Sequence, residues 1–146
     1  MALHPLPGFG QVSKVTAVTG GGGHTVILKD DGTVWGWGKN DYGQLGNGNT
    51  HSSATPAHSA VPAQVKDPGG FGYLNGIKAI AAGENHTVAL ATDDTVWAWG
   101  ANNHGQLGIG NTENKTTPVR VHLPYGVRIR AIAAGYNHTV ALATDG

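Results

Sequence analysis

A stretch of fifteen residues occurs twice in this chain with a single difference. Residues 79–93 and 131–145 match at every position except Glu84, where the second copy has Tyr136. A more diverged copy lies at 17–28. Repeats spaced by about 50 to 60 residues are typical of propellers, solenoids and arrays. The repetition therefore constrains the architecture before any single residue is considered.

Each repeat contains four short apolar runs separated by turn residues. In the second copy these runs are 77–82, 86–92, 95–99 and 119–123, and we expect Pro118 at the start of the fourth strand. No helix-length pattern is present. Four short strands per repeat predict the antiparallel blades of a β-propeller, an all-β fold. A β-solenoid is the alternative, but its repeats are shorter than these.

The tryptophans occur in pairs within the third run of a repeat. Trp97 and Trp99 are two positions apart, so they share one face of a strand and leave Val96 and Ala98 on the other. We expect the four tryptophans to pack between neighbouring blades, and an aromatic-ligand or light-sensing role is the alternative. They are Trp35, Trp37, Trp97 and Trp99.

The repeats divide the chain into a lead-in and three units. The predicted boundaries are a lead-in at 1–14, a first blade at 15–76, a second at 77–126 and half a blade at 127–146. The first blade is ten residues longer than the second between equivalent glycines. We assign these extra residues to an inserted loop at about 50–62, which is either functional or a tolerated surface loop.

Two motifs carry a resemblance to a known family. The sequence WGKNDYGQLG at 37–46 returns as WGANNHGQLG at 99–108, and AAGxNHTVAL occurs at 81–90 and 133–142. Both motifs resemble the regulator of chromosome condensation repeat. The resemblance implies seven-bladed β-propellers, of which this chain would hold about two and a half repeats, as a partial or oligomer-completed propeller.

The activity does not follow from the resemblance, because members of this family have several functions. They include nucleotide exchange on a small GTPase with chromatin binding, light sensing and β-lactamase inhibition, and many are bacterial scaffolds. A fold shared by such different proteins does not assign one of these roles. The near-identity of two copies suggests recent duplication, and we take it as favouring a bacterial source.

Composition argues against several classes of function. Lysine plus arginine and aspartate plus glutamate number nine each, so the basic excess expected of a nucleic-acid-binding protein is missing. No apolar stretch is long enough for a membrane span. There is no cysteine, and the first residues lack a signal-peptide pattern, so we expect a cytoplasmic protein with no membrane or nucleic-acid partner.

The recurring polar residues do not form a catalytic or metal-binding pattern. His24, His86 and His138 hold equivalent places on separate repeats, and we interpret them as structural imidazoles that bond a neighbouring backbone group. The aspartates lie at turns, which they favour. We therefore predict no enzymatic activity, no cofactor and no bound metal.

The remaining candidates are loop residues that differ between repeats. We predict that a protein partner contacts Asn40, Asp41, Tyr42, His51, His58, Asn102, Asn103 and His104. Ordinary turn chemistry is the alternative for these positions. We also expect homo-oligomers, because half a blade leaves an unpaired strand edge. A nucleotide-exchange or enzyme-inhibitor activity is the alternative that the resemblance implies.

Overall fold

The structure, a computed structural model, describes residues 12–50 and 58–146. These residues form three antiparallel sheets. Blade 1 has the strand order β1-β2-β3-β4, blade 2 has the order β5-β6-β7-β8, and half-blade 3 contains β9 and β10. The strands are β1 Val15–Gly20, β2 His24–Lys29, β3 Val34–Lys39, β4 His58–Gln64, β5 Ile77–Ala82, β6 His86–Ala91, β7 Val96–Gly100, β8 Lys115–Arg120, β9 Ile129–Ala134 and β10 Thr139–Ala143. The all-β fold and the four-stranded blades are confirmed.

The turns between the second and third strands are fixed by a carboxylate. Asp93 Oδ1 accepts hydrogen bonds from the backbone N–H of Thr95, at 3.1 Å, and from its hydroxyl, at 2.5 Å. Asp31 and Thr33 repeat this arrangement in blade 1. Both bonds stabilise the ionised form, so the pKa of each aspartate lies below its usual range, mainly because of the threonine hydroxyl. The interpretation of these aspartates as turn residues is confirmed.

Successive sheets pack face to face and converge at their first strands. β1 contacts β5, and β5 contacts β9. One apolar layer joins blade 1 to blade 2 and contains Val26, Val34, Val65, Ala89 and Trp99. A second layer joins blade 2 to half-blade 3, with Val88, Leu90, Val96, Ala98 and Ile129. The alternation of β7 is therefore as predicted, with its tryptophans toward blade 1 and its valine and alanine toward half-blade 3.

The fourth strand of blade 2 begins earlier than the sequence suggested. β8 covers Lys115–Arg120, so Pro118 lies inside it instead of at its start. β8 is the outermost strand of its sheet, and its register with β7 shifts between Ala98 and Gly100. A residue without a backbone N–H is tolerated at such an irregular edge. The prediction for Pro118 was wrong because it took the proline as a boundary.

The extra residues of blade 1 are divided between two connections. In blade 1 Gly38 pairs with Ser59, whereas its counterpart Gly100 in blade 2 pairs with Lys115. The connection between the paired residues is six residues longer in blade 1, so six of the extra residues precede the paired part of β4. The other four extra residues follow β4, within 65–76. Part of the predicted loop at 50–62 is thus strand β4, which corrects that assignment, while residues 51–57 lie outside the described residues.

No helix in the described part of the chain has the length and apolarity that crossing a bilayer requires.

Candidate interaction surface

The loop that follows the third strand of each blade is built around a buried asparagine. Asn40 and Asn102 are both 0% exposed. The Oδ1 atom of Asn102 accepts a hydrogen bond from the backbone N–H of Leu107 at 3.0 Å, and its Nδ2 donates to the carbonyl of Asn111 at 2.9 Å. Asn40 makes the same two bonds in blade 1. These amides shape the loop from inside and present no surface to a partner.

A buried glutamine fixes the exposed apex of each loop. Gln106 Oε1 accepts a hydrogen bond from the backbone N–H of His104 at 2.8 Å, and its Nε2 donates to Asn103 Oδ1 at 3.4 Å. Gln44 does the same for Tyr42 and Asp41, at 2.9 and 3.1 Å. Asp41, Asn103 and His104 are exposed, and Tyr42 is half-buried. The loops thus present different side chains from one rigid frame.

The two apices differ in charge. In blade 1, Lys39 lies beside the apex, with its Nζ 3.6 Å from Asp41 Oδ2 and 5.8 Å from the centre of the Tyr42 ring. Its Nζ also donates to Asn85 Oδ1 of blade 2 at 3.2 Å. The corresponding residue in blade 2 is Ala101. One apex is therefore zwitterionic and aromatic, and the other is neutral and polar.

The carbonyl of Gln44 also joins the two blades. It accepts a hydrogen bond from the indole Nε1–H of Trp99 at 3.0 Å and another from the hydroxyl of Thr87 at 2.8 Å. The Thr87 oxygen in turn lies 3.0 Å from His24 Nε2. His86, Thr139 and the carbonyl of Gln106 form the same relay at the next junction, with distances of 3.0 and 2.7 Å.

The direction of the relay assigns the histidine tautomer. The hydroxyl of Thr87 donates to the carbonyl of Gln44, so its oxygen accepts a hydrogen bond from Nε2–H of His24. His24 Nδ1 and His86 Nδ1 are then unprotonated, and both are buried without a partner among the described residues. The interpretation of these residues as structural is retained, with one correction: the ring bonds a threonine side chain of the next sheet and not a backbone group.

Burial lowers the pKa of both histidines. His24 is 3% exposed and His86 is 0% exposed. Desolvation is the main cause that lowers the pKa of His24 to about 4, and the charge repulsion between the protonated rings of His24 and His86 is the second cause. Desolvation is also the main cause that lowers the pKa of His86 to about 4. Both rings are therefore neutral at pH 7 and act as hydrogen-bond donors within the junctions, without charge.

Close backbone approach explains the glycines that precede the histidines. A Cβ atom placed on Gly83 would lie 2.0 Å from Cε1 of His86 and 2.6 Å from the carbonyl oxygen of Gly135. In blade 1 the ring of His24 lies against Gly21 in the same way. The neighbouring turns are also bonded in series, because Gly22 N–H donates to the Glu84 carbonyl at 3.0 Å and Glu84 N–H donates to that of Tyr136 at 3.1 Å.

The predicted contact residues are not all described or exposed. His51 lies outside the described residues, and His58 is described only as the first residue of β4. The residues that sequence reasoning missed are Gln44, Gln106, Thr87 and Thr139. Their recurrence within both repeated motifs was the available signal, but it did not distinguish a bond between blades from a local turn.

A second projecting feature lies at the opposite end of the blades. The longer connection after β4 turns at Asp67, whose carboxylate accepts from the backbone N–H groups of Phe71 at 3.0 Å and Gly72 at 3.1 Å. Phe71 at its tip is fully exposed. Within residues 12–50 and 58–146, no group of three or more histidine, aspartate or glutamate side chains is placed to hold a metal ion.

The stacked four-stranded sheets and their repeated junctions define the blades of a repeat propeller. The family model of the regulator of chromosome condensation (RCC1) repeat matches residues 31–90 and 93–142, and a second model of this repeat matches 15–44 and 77–106. The chain belongs to the RCC1 repeat family.

The curated relatives are longer proteins. The ultraviolet-B receptor UVR8 of Arabidopsis thaliana is 38% identical over 136 residues, which cover 91% of this chain and 28% of the receptor. The guanine nucleotide exchange factor SRM1 of Saccharomyces cerevisiae is 34% identical over 145 residues, which cover 97% of this chain and 28% of the factor. The chain thus spans less than a third of either relative.

Solved structures show the same fold. Yeast RCC1 (Prp20), solved bound to Kap60, superposes with a TM-score of 0.76 at 32% identity, covering 97% of this chain and 30% of the yeast chain. Human WBSCR16 gives a TM-score of 0.71 at 31% identity, covering 90% of this chain and 32% of the human one. The blade architecture derived above is therefore that of a known propeller family.

Proposed function

We propose that the chain is a non-enzymatic propeller segment that binds a protein partner through its loop apices. The observation that carries this proposal is the pair of frames around Gln44 and Gln106. Each frame fixes the backbone of a loop apex, at which Asp41, Asn103 and His104 are exposed. A loop backbone that is already ordered loses less entropy on binding, which favours association.

The chemistry of the apices favours a protein over a nucleic acid. The first offers a lysine, an aspartate and the aromatic ring of Tyr42, and the second offers the amide of Asn103 and the imidazole of His104. Aromatic residues such as Tyr42 are enriched in protein interfaces. The opposite charges of Lys39 and Asp41 leave this apex without the basic excess that binding of a nucleic acid requires. A relative of this fold, yeast RCC1, has been solved with the protein Kap60 bound. This supports a protein partner here without naming it.

A quantitative pull-down from lysate of the source organism tests the apices. We expect the double variant Tyr42→Ala and His104→Ala to lose a captured protein that the unmodified chain retains. Tyr125→Ala is the matched control, because this tyrosine is fully exposed at the opposite end of the blades. Capture that is equal in all three proteins would refute the role of the apices.

We further propose that the chain self-associates through β10. This strand pairs with β9 and, in the part of the chain that the structure describes, with no other strand. Val140 and Leu142 are 51% and 42% exposed, whereas Val88 and Leu90, at the same places in blade 2, are 0% and 1% exposed. An unpaired edge beside apolar side chains favours pairing with another chain.

Light scattering over a concentration series tests self-association. A mass that is a multiple of one chain and persists on dilution supports it, and a monomer at high concentration contradicts it. Nucleotide exchange on a small GTPase is a separate candidate, favoured by the 34% identity to SRM1. An exchange assay tests that candidate, and a β-lactamase inhibition assay tests the inhibitor activity found in other family members.

A further inference from the structure

Trp35 and Trp97 occupy the same place in the third strands of the two complete blades. The indole Nε1–H of Trp35 donates to the hydroxyl of Thr33 at 3.1 Å, and that of Trp97 donates to the hydroxyl of Thr95 at 3.1 Å. Each threonine is in turn bonded by the aspartate of its own turn, as described above. The two indoles are therefore held in the same way against equivalent turns.

The two indoles differ in what lies over the ring. In blade 1, Lys29 Nζ lies 4.6 Å from the centre of the Trp35 ring, a distance at which a cation is attracted to the face of an aromatic ring. The residue of blade 2 that corresponds to Lys29 is Ala91. Among the described residues, no lysine lies over the ring of Trp97. The repeat thus places a cation on one indole and leaves the other without one.

A groove in blade 2 takes the place of the lysine. It has a volume of about 430 Å³, and Ala91 and Trp97 form one of its walls. The opposite wall comes from blade 1, where Tyr73 and Leu74 lie in the connection 65–76 that is four residues longer than its counterpart. Tyr73 is 55% exposed, so the groove opens to solvent. Its walls belong to the junction between the two complete blades.

The charge in this groove is negative. Asp67 and Asp93 line it, and no lysine, arginine or histidine is among its described lining residues. Neither carboxylate forms an ion pair with a described residue. Asp93 bonds Thr95 through Oδ1 alone, which leaves Oδ2 without a hydrogen-bond partner on another described residue. Its pKa is lowered mainly by the Thr95 hydroxyl and to a lesser extent by Arg120, which does not line the groove.

We propose that this groove binds an arginine side chain of a protein partner. The guanidinium stacks on the indole of Trp97, in the place that Lys29 takes over Trp35, and donates hydrogen bonds to the carboxylates of Asp93 and Asp67. A planar guanidinium can stack on an aromatic ring and bond a carboxylate at the same time, which suits this combination of walls. The groove lies at the opposite end of the blades from the loop apices, so the proposal does not depend on them.

The probe is the tripeptide glycyl-arginyl-glycine with both ends capped, and the reference peptide has citrulline in place of arginine. Citrulline keeps the shape of the side chain but has no charge. Two-dimensional NMR of the intact, nitrogen-15-labelled chain measures both affinities. We expect saturable shifts of the Trp97 indole N–H and of the amides of 73–75 and 91–93. The citrulline peptide should bind at least about tenfold more weakly, since the attraction to the ring and the bonds to carboxylates both need the charge.

Variants of the chain test the groove from the other side. Ala91→Lys reproduces in blade 2 the arrangement of blade 1, so an internal ammonium occupies the ring and the arginine peptide should bind at least about tenfold more weakly. Asp93→Asn keeps an acceptor for its turn but removes the charge, and should weaken binding about threefold. Asp31→Asn is the matched control, because it alters the same turn in blade 1 and does not line the groove, so the affinity should not change.

No shift of the Trp97 indole signal, or equal affinity for the arginine and citrulline peptides, would overturn the proposal. If Ala91→Lys prevents folding, the comparison of Asp93→Asn with Asp31→Asn decides it, and equal affinities of these two variants would overturn it. These signals come from the groove and not from the loop apices. The pull-down with the apex variants and this titration therefore test two separate surfaces, and either can fail without the other.

Discussion

Acid should destabilise this chain through its buried histidines before its carboxylates are affected. The pKa of His24 and that of His86 are each lowered from 6.5 to about 4 in the folded chain. Between these two values the unfolded chain binds more protons than the folded one. The free energy of unfolding therefore falls as the pH decreases from about 6.5 to about 4.

The expected loss is large compared with the stability of a typical domain. One pKa unit corresponds to about 1.4 kcal/mol, so each buried imidazole accounts for a loss of about 3 kcal/mol by pH 4. The two losses are coupled, since His86 itself contributes to the lowered pKa of His24. Domains are commonly stable by about 5 to 15 kcal/mol, so the two histidines together could unfold this one.

Urea denaturation at several pH values between 7 and 4 measures this loss. The variant His86→Gln keeps a donor for Thr139 but cannot be protonated, so we expect it to be less stable at pH 7 and to show about half the pH dependence. His104→Gln is the control for the substitution itself, because His104 is exposed and lies outside the hydrogen-bond relays of both junctions. A flat profile between pH 6.5 and 4, or an unchanged slope in His86→Gln, would refute the reasoning.

The carboxylates contribute in a different pH window. The lowered pKa values of Asp31 and Asp93 mean that their stabilising effect is complete above the unfolded value of about 4. It is lost as the pH falls further, through the folded values. Any decrease in the free energy of unfolding that protonation of these aspartates causes therefore begins at the pH where the decrease caused by the histidines is nearly complete.

Three further substitutions test the junctions and loops by urea denaturation. Gly83→Ala should destabilise by about 1 to 3 kcal/mol because its Cβ meets an imidazole, whereas Gly20→Ala has open space and should be neutral or slightly stabilising. Trp99→Phe removes a buried hydrogen bond and should destabilise by about 1 to 3 kcal/mol, whereas Trp37→Phe, on the half-buried equivalent, should change stability by less than about 1 kcal/mol. Asn102→Ala leaves loop N–H and C=O groups unpaired and should destabilise by about 2 kcal/mol. Equal effects within either matched pair, or a neutral Asn102→Ala, would contradict the packing described.

The local features of the fold could be predicted because they depend on short-range patterns. Alternation placed Trp97 and Val96 on opposite faces of one strand, and the aspartates marked the turns. Pro118 shows the limit of such rules. A proline is tolerated at several kinds of strand position, and the register shift that accommodates it depends on the partner strand.

The junctions and loops of the candidate interaction surface were harder to predict because their bonds join distant residues. Thr87 and Gln44 are 43 positions apart, and their contact depends on how two sheets stack. Polarity alone also did not separate Asn102 from its neighbour Asn103. The first is enclosed by backbone groups that satisfy its amide, and the second is exposed. Their sequence context gives no sign of this difference.

Identical sequences have different burial in the two copies of the repeat. Residues 86–91 form a buried strand enclosed on both faces, whereas the same six residues at 138–143 form a largely exposed edge. Because the two strands have the same sequence, the difference in burial depends on the strands and sheets that pack against each of them. In repeat proteins much of the stability belongs to the contacts between units.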